Sequence, residues 1–310
     1  ALPPPRGPRP DGVAMAAAAA ALALIAALPA ALVGAIDNGL GLRPPMGWRS
    51  WNSFGRDINM SVMEETMDAL VLKREGNLSL SDLGFKDVGL DDNWQACGQG
   101  LYNGFHDALG RPLVDKARFP DLRAMTAYAH ARGLRPGWYA NNCICSENGY
   151  FTTTEVYTHY HGDVQTLIDL RFDSVKLDHC GQFNDLDRWA KLLNWTGHPI
   201  MIENCHWVGL LPKYQETGEL WCPFNYFRTS GDIKPNFDAM LTNLQTMTKW
   251  ADLERPISQP GCWAYPDMLE VGHLATIEEE RAHFAAWCVT SAPLVLSLDL
   301  ANAALAARIW

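Results

Sequence analysis

Four apolar runs in this 310-residue chain stop abruptly at groups that can bind polar substrates or move protons. They end in Asp91-Asp92, Lys176-Leu177-Asp178, Glu203-Asn204-Cys205-His206 and Arg228-Thr229-Ser230-Gly231-Asp232. A single such ending is ordinary turn or helix-cap chemistry, and Asp92 alone could be a cap; four endings of this kind are harder to assign to turns. Paired carboxyls suit acetal hydrolysis, in which one donates a proton to a poor leaving group and the other attacks or stabilises a cation-like centre. Asp178 suits the anionic role, because strand alternation puts Lys176 on its face and a nearby ammonium favours an ionised carboxylate. Asp232 is then the acid by elimination. Arg228 shares its face if the strand stays regular, and a close guanidinium would favour the wrong protonation state. That conflict disappears if Gly231 bends the chain away or if ionised Asp178 offsets the arginine.

These residues need a scaffold that brings strand ends together. Apolar or β-rich runs recur at 46–54, 85–94, 134–142, 174–180, 199–205, 225–233, 256–263 and 294–300. Amphipathic stretches at 61–74, 121–132, 163–171, 185–193, 237–253 and 278–290 separate them, with the connection after Cys205 the least helical. Alternation of this kind predicts parallel βα units, and eight strands is the number of a (β/α)8 TIM barrel, whose site gathers at the C-terminal strand ends. The final ANAALAARIW then reads as only the beginning of the closing helix, so the barrel is expected to be truncated in its last helix. Trp189, Trp195, Trp250 and Trp287 fall on helical patterns where burial is the default, while Trp51 stands at a strand end.

Composition narrows the chemistry. With 25 Lys+Arg against 35 Asp+Glu and a net charge of −10, the chain offers no basic field for nucleic acid. Twelve Trp and nine Tyr suit sugar recognition, since a flat ring can stack on the apolar face of a pyranose. Residues 1–35 read as an N-terminal extension carrying a signal peptide, with an uncharged Ala-rich run and small residues at Val33-Gly34-Ala35, which leaves 36–310 as the catalytic barrel. Eight cysteines and three sequons, at Asn59, Asn77 and Asn194, agree with a secretory route, to the outside or to a vacuole or lysosome. The cysteines lack zinc-knuckle spacing. His159-Tyr160-His161 has the spacing of a metal-binding His-x-His, but it falls in an expected loop before the third helix, where packing histidines are the better account.

The motifs, in their order, resemble glycoside hydrolase family 27, the α-galactosidase and α-N-acetylgalactosaminidase family, from about Leu42 to the C-terminus. PPMGWRSWNSF is similar to its first strand, GLDDNW to its second, GWYANN to its third, VKLDHCG to its fourth, FRTSGDI to its sixth, and YPDML with WCVTSAPLVLSLDL to its last two. The resemblance implies that Asp178 is the nucleophile and Asp232 the acid/base of a retaining exo-glycosidase that acts on terminal α-galactosides without metal or cofactor. It further implies that Trp51 walls the sugar pocket, that Asp91 and Asp92 hold the 4- and 6-hydroxyls, that Lys176 reaches hydroxyls 3 and 4, and that Arg228 binds near the 2-hydroxyl. Tyr139 and Asp267 correspond to pocket-lining and near-site residues. Cys180 would pair with Cys143 or Cys145, and Cys205 with Cys222.

The chain also departs from the family pattern. His206 stands where a carboxylate commonly contacts the second sugar carbon, the third-strand loop holds two cysteines instead of one, and Tyr265 replaces an acidic residue. The family's C-terminal β-sandwich is expected to be missing from this stretch of chain. Rival readings are a β-L-arabinopyranosidase or α-N-acetylgalactosaminidase of the same family, a catalytically inert sugar-binding barrel, and a metal-dependent hydrolase. Expected partners are galactosides, with a homodimer left open.

Overall fold

A computed structural model of the chain describes residues 36–309 apart from 142, 146, 148–150, 206–209 and 251–253. The expected signal peptide and His206 therefore lie outside the described residues. Eight parallel strands form one sheet: β1 (Met46–Arg49), β2 (Asp87–Gly89), β3 (Arg135–Ala140), β4 (Ser174–Leu177), β5 (Met201–Asn204), β6 (Tyr226–Arg228), β7 (Trp263–Tyr265) and β8 (Leu294–Leu296). From β1 to β7 each strand pairs with the next, β8 pairs with β1, and only an isolated parallel bridge from Leu269 to Leu296 links the β7 and β8 edges. This is the (β/α)8 barrel that the alternation predicts.

Small residues let the strands twist and close. A Cβ at Gly47 would lie 2.3 Å from the Asp87 carbonyl oxygen, and one at Gly89 would meet the Arg49 guanidinium at 2.9 Å. Glycine at 89 thus keeps space for a charged side chain inside the barrel. Trp48, Trp94 and Trp138 are almost wholly buried and send their bulk into the core around the strands.

Among the described residues, six helices of nine or more residues cover the sheet: α1 (Met60–Val71), α2 (Leu122–Ala131), α3 (Thr153–Asp169), α4 (Leu186–Trp195), α5 (Phe237–Gln245) and α6 (Ile277–Val289). Asn59, Asp121, Thr152, Asp185, Asn236 and Thr276 cap them in turn, each accepting from a backbone N–H three residues on. The fifth connection carries a short antiparallel hairpin, Lys213–Tyr214 with Leu220–Trp221, in agreement with its weak helical pattern.

Four expectations need correction. Helix α3 begins ten residues before Asp163, because Thr152 and Glu155 form a capping box, so His159-Tyr160-His161 lies within a helix and not in a loop. Strand β7 starts where the expected run 256–263 ends: Gln259 and Cys262 close a turn through Pro260-Gly261, where Gly261 has φ 85. Trp195 is 82% exposed at the end of α4, although Trp189, Trp250 and Trp287 are buried as expected. The disulfides are Cys97–Cys145, Cys143–Cys180 and Cys222–Cys262, so the expected Cys205–Cys222 bond does not form. Cys262, at the Pro-Gly turn before β7, takes Cys222, while Cys205 points into the barrel and receives a hydrogen bond from Arg228 Nη1 at 3.2 Å.

Candidate active site

The C-terminal strand ends surround a cavity of about 420 Å³. Trp51, Asp91, Asp92, Tyr139, Lys176, Asp178, Arg228, Asp232 and Asp267 all line it, so of the residues expected at the site only His206 cannot be placed. They come from β1, β2, β3, β4, β6 and β7 or the turns that follow them, which is where a barrel concentrates its chemistry.

The two carboxylates after β2 are held differently. Asp91 accepts from Lys176 Nζ at 2.8 Å and lies 3.8 Å from Arg49 Nη1, and its backbone N–H donates to Ser50 Oγ at 3.0 Å. Asp92 caps no helix. Its Oδ2 accepts from the backbone N–H groups of Cys143 at 2.8 Å and Ile144 at 2.9 Å, which ties the second-strand ending to the third-strand loop. Burial pushes the Asp92 carboxyl above the usual range, against those backbone donors.

Asp178 is half-buried, with Tyr139 donating its hydroxyl to Oδ2 at 2.6 Å and the His179 N–H donating to Oδ1 at 2.7 Å. Burial, followed by the Asp178 charge, raises the Tyr139 phenol well above its ordinary value, so it remains a donor. Lys176 hydrogen-bonds Asp91 and reaches Asp178 through its charge alone, while Tyr139 is the side chain that hydrogen-bonds Asp178.

On the opposite side Asp232 is exposed, yet Arg228 Nη2 reaches its Oδ1 at 2.7 Å. The same guanidinium lies 3.6 Å from Asp267 Oδ2. Asp267 also accepts from the N–H groups of Ile233 and Met268, both at 2.8 Å, with a backbone φ of 95 that side chains rarely adopt. Strain of this sort persists where surrounding contacts fix it, commonly beside functional groups.

Sequence reasoning named Glu203 and Tyr265 without foreseeing the buried network they join, and it gave no role to a second set along the cavity wall. Beneath the cavity, Arg49 Nη2 pairs with Glu203 Oε2 at 2.8 Å, Tyr226 donates to Glu203 at 2.8 Å, and Tyr265 donates to its other oxygen. All four are buried. A charge inside each of two apolar strands was the available signal, since buried opposite charges must find one another. Along one wall stand Asn52, which lies in the first-strand motif but was given no role, and Glu270 and His273, which no motif marked.

Elsewhere, His106, Glu147 and His159 approach one another as a metal-binding trio would, all buried. The two imidazoles stack with centroids 4.2 Å apart and planes 20° from parallel, so no single ion could lie in the plane of both rings. His106 instead bridges carboxylates, with Nδ1 2.5 Å from Glu147 and Nε2 3.0 Å from Asp163.

A family model described as alpha galactosidase A matches residues 43–309. An alpha-galactosidase from Cyamopsis tetragonoloba is 34% identical over 275 residues, covering 85% of this chain and 61% of that protein. An alpha-N-acetylgalactosaminidase from Gallus gallus is 32% identical over 283 residues, covering 86% and 67%. The solved alpha-galactosidase of Saccharomyces cerevisiae superposes with a TM-score of 0.63 at 25% identity, over 86% of this chain and 62% of that one. The chain thus spans about 61% of the plant relative's length. With its carboxylates gathered at the strand ends of an eight-fold barrel, it belongs to glycoside hydrolase family 27, the alpha-galactosidase family.

Proposed function

We propose that this barrel is the catalytic part of a retaining exo-glycosidase that releases terminal α-galactosyl residues. The observation that carries the reading is the placement of Asp178, steadied by Tyr139, in one cavity with the Lys176–Asp91 pair, Asp92 and the Arg228–Asp232 pair. The buried Arg49–Glu203 pair, whose Arg49 Nη1 also lies 3.8 Å from Asp91, braces that carboxylate from inside the barrel. Asp178 attacks the anomeric carbon while Asp232 protonates the departing oxygen; Asp232 then takes a proton from water as the glycosyl–enzyme ester is hydrolysed. Asp91 and Asp92 hold the 4- and 6-hydroxyls. Three disulfides support an oxidising compartment on the secretory route. Among the described residues no helix is long and apolar enough to cross a membrane.

The full gene product is the material to test, with aryl α-galactoside, α-N-acetylgalactosaminide, β-L-arabinopyranoside and α-glucoside, following the first-formed anomer by NMR. The α-galactoside should lead. The equatorial 4-hydroxyl of glucose leaves the carboxylates imperfectly paired, at a cost of roughly 1–3 kcal/mol per buried polar group, so the glucoside should fail. Galactose should emerge first as the α anomer, and Asp178→Asn should lose at least three powers of ten in turnover. A β anomer first would replace the nucleophile with a base-activated water. The N-acetylgalactosaminide arm matters because relatives named for that activity match at comparable identity, and strong turnover there would make it the second reading.

A further inference from the structure

Glu270 lies five residues beyond the end of β7 and is only 1% exposed, yet it lines the same cavity as Asp178 and Trp51. Its position is fixed from three sides. Oε1 accepts from the Asn52 amide, and the Asn52 backbone N–H in turn donates to Ser297 Oγ at 2.9 Å. The Glu270 backbone N–H donates to His283 Nε2 at 2.8 Å, which requires that ring nitrogen to be unprotonated. Among the described residues no Lys or Arg forms an ion pair with Glu270, and the cavity's cations are taken, Lys176 by Asp91 and Arg228 by Asp232.

The groups around this carboxyl carry no positive charge to hold it ionised. From its own segment it faces the carboxylate of Asp267 and is near His273, which hydrogen-bonds Ser53 at 3.2 Å and is kept neutral by burial. From α6 comes His283, pushed down to about 4 by burial. From the turn after β1 come Asn52 and Ser53, both uncharged. Burial, opposed by the Asn52 hydrogen bond and reinforced by Asp267, pushes Glu270 up to about 7.

We propose that Glu270 is a substrate-contacting residue, gripping a sugar hydroxyl on the Trp51–Asn52 side of the pocket through the carboxyl oxygen that Asn52 does not use. This rests on the reading of the cavity as a sugar site. Below pH 7 the protonated acid donates to a hydroxyl oxygen; as pH rises through about 7 it ionises, loses its only donor, and adds a charge beside Asp267. Affinity for a neutral hydroxylated sugar should therefore fall across that interval, a change seen in KM and in binding more than in kcat.

The test compares the parent with Glu270→Gln and Glu270→Leu from pH 5 to 8.5. Galactose binding is read by calorimetry, turnover with 4-nitrophenyl α-galactoside, and folding by thermal midpoint. In the parent, Kd and KM should rise through pH 7. The Leu variant should weaken binding about tenfold at pH 5, equivalent to about 1.4 kcal/mol, and lose the pH dependence. The Gln variant keeps an N–H donor, so it should lose less affinity than the Leu variant and also show no rise at pH 7. Folded variants with the parental Kd, KM and pH profile would overturn the proposal while leaving the α-galactosidase reading intact. A parent that binds galactose in this pH-dependent way but cleaves no α-galactoside would do the reverse, and a parent that does neither would sink both.

Discussion

Arg228 holds two carboxylates, Asp232 at 2.7 Å and Asp267 at 3.6 Å, and a general acid cannot work while a guanidinium keeps it as an anion. The exposed side of this pairing is the one that can let go: Asp232 is largely solvated, whereas Asp267 is buried and fixed by two backbone N–H groups. An aglycone entering beside Asp232 can displace its contact and leave Arg228 to Asp267, which frees Asp232 to carry a proton. Asp232→Asn should accordingly slow release of a sugar leaving group by about 10²–10⁴, and slow a dinitrophenyl galactoside far less, because a good leaving group needs little protonation. Equal losses on both substrates, measured as kcat/KM, would remove Asp232 from the acid role. Asp178 and Asp232 were legible in the sequence as cavity residues because each belongs to a polar ending that follows an apolar run. Glu270 was not, since its partner Asn52 is 218 residues away and no spacing rule links them.

At the scale of elements, the loops after β2 and β3 are joined to α3 by the imidazole of His106, which touches Glu147 and Asp163. Glu147 also accepts from the Phe105 N–H at 2.8 Å, and its loop is the one whose Cys143 and Ile144 N–H groups hold Asp92. Helix α3 can approach the loop after β2 because position 162 is glycine; a Cβ there would lie 1.8 Å from the Gly110 carbonyl oxygen. That helix was placed late from sequence because TTTEVYTHYHGD lacks an apolar period, although Thr152 and Glu155 spell a capping box that could have marked its start. Burial disfavours a charged His106, but Asp163 and Glu147 overcome it and push the imidazole up to about 9. A raised value means stabilisation that is complete below about 6.5 and lost as pH climbs through 9, on the order of 3 kcal/mol. His159 works in the other direction: burial and then the His106 charge push it down to about 4, so its contribution is lost as pH falls from 6.5 towards 4. His106→Asn should therefore flatten the alkaline decline in denaturant stability between pH 6.5 and 9, and it should soften the acid decline without abolishing it, because burial still depresses His159 after the His106 charge is gone. Parallel curves for parent and variant would show that the bridge carries no such charge.

For the whole molecule, the barrel was readable because eight apolar runs alternate with capped amphipathic stretches, and that pattern has few three-dimensional solutions. Cysteine pairing was not readable, since connectivity depends on which strand ends and turns meet in space. Two of the three bonds lie beside the site, and the third lies at the opposite end of the barrel, where the strands begin. Cys97–Cys145 and Cys143–Cys180 tie the loops after β2, β3 and β4 into one unit around Asp92, and Cys222–Cys262 joins the segments that lead into β6 and β7. Their sequence separations of 48, 37 and 40 residues correspond to about 4 kcal/mol each in the chain-entropy picture, enough that losing all three would exceed the stability of many domains. Reduction should therefore lower the thermal midpoint steeply, and it should cost activity before the barrel melts, because Asp92 depends on N–H groups held by two of the bridges. Peptide mapping without reductant should recover the three stated links. Native protein should react with a thiol reagent at exposed Cys288, and at buried Cys205 only after unfolding. Recovery of a Cys205–Cys222 peptide would restore the pairing the family resemblance implied and would require Cys262 to be a free thiol. Labelling of Cys205 in the native state would instead show that the barrel interior beside Arg228 opens to solvent.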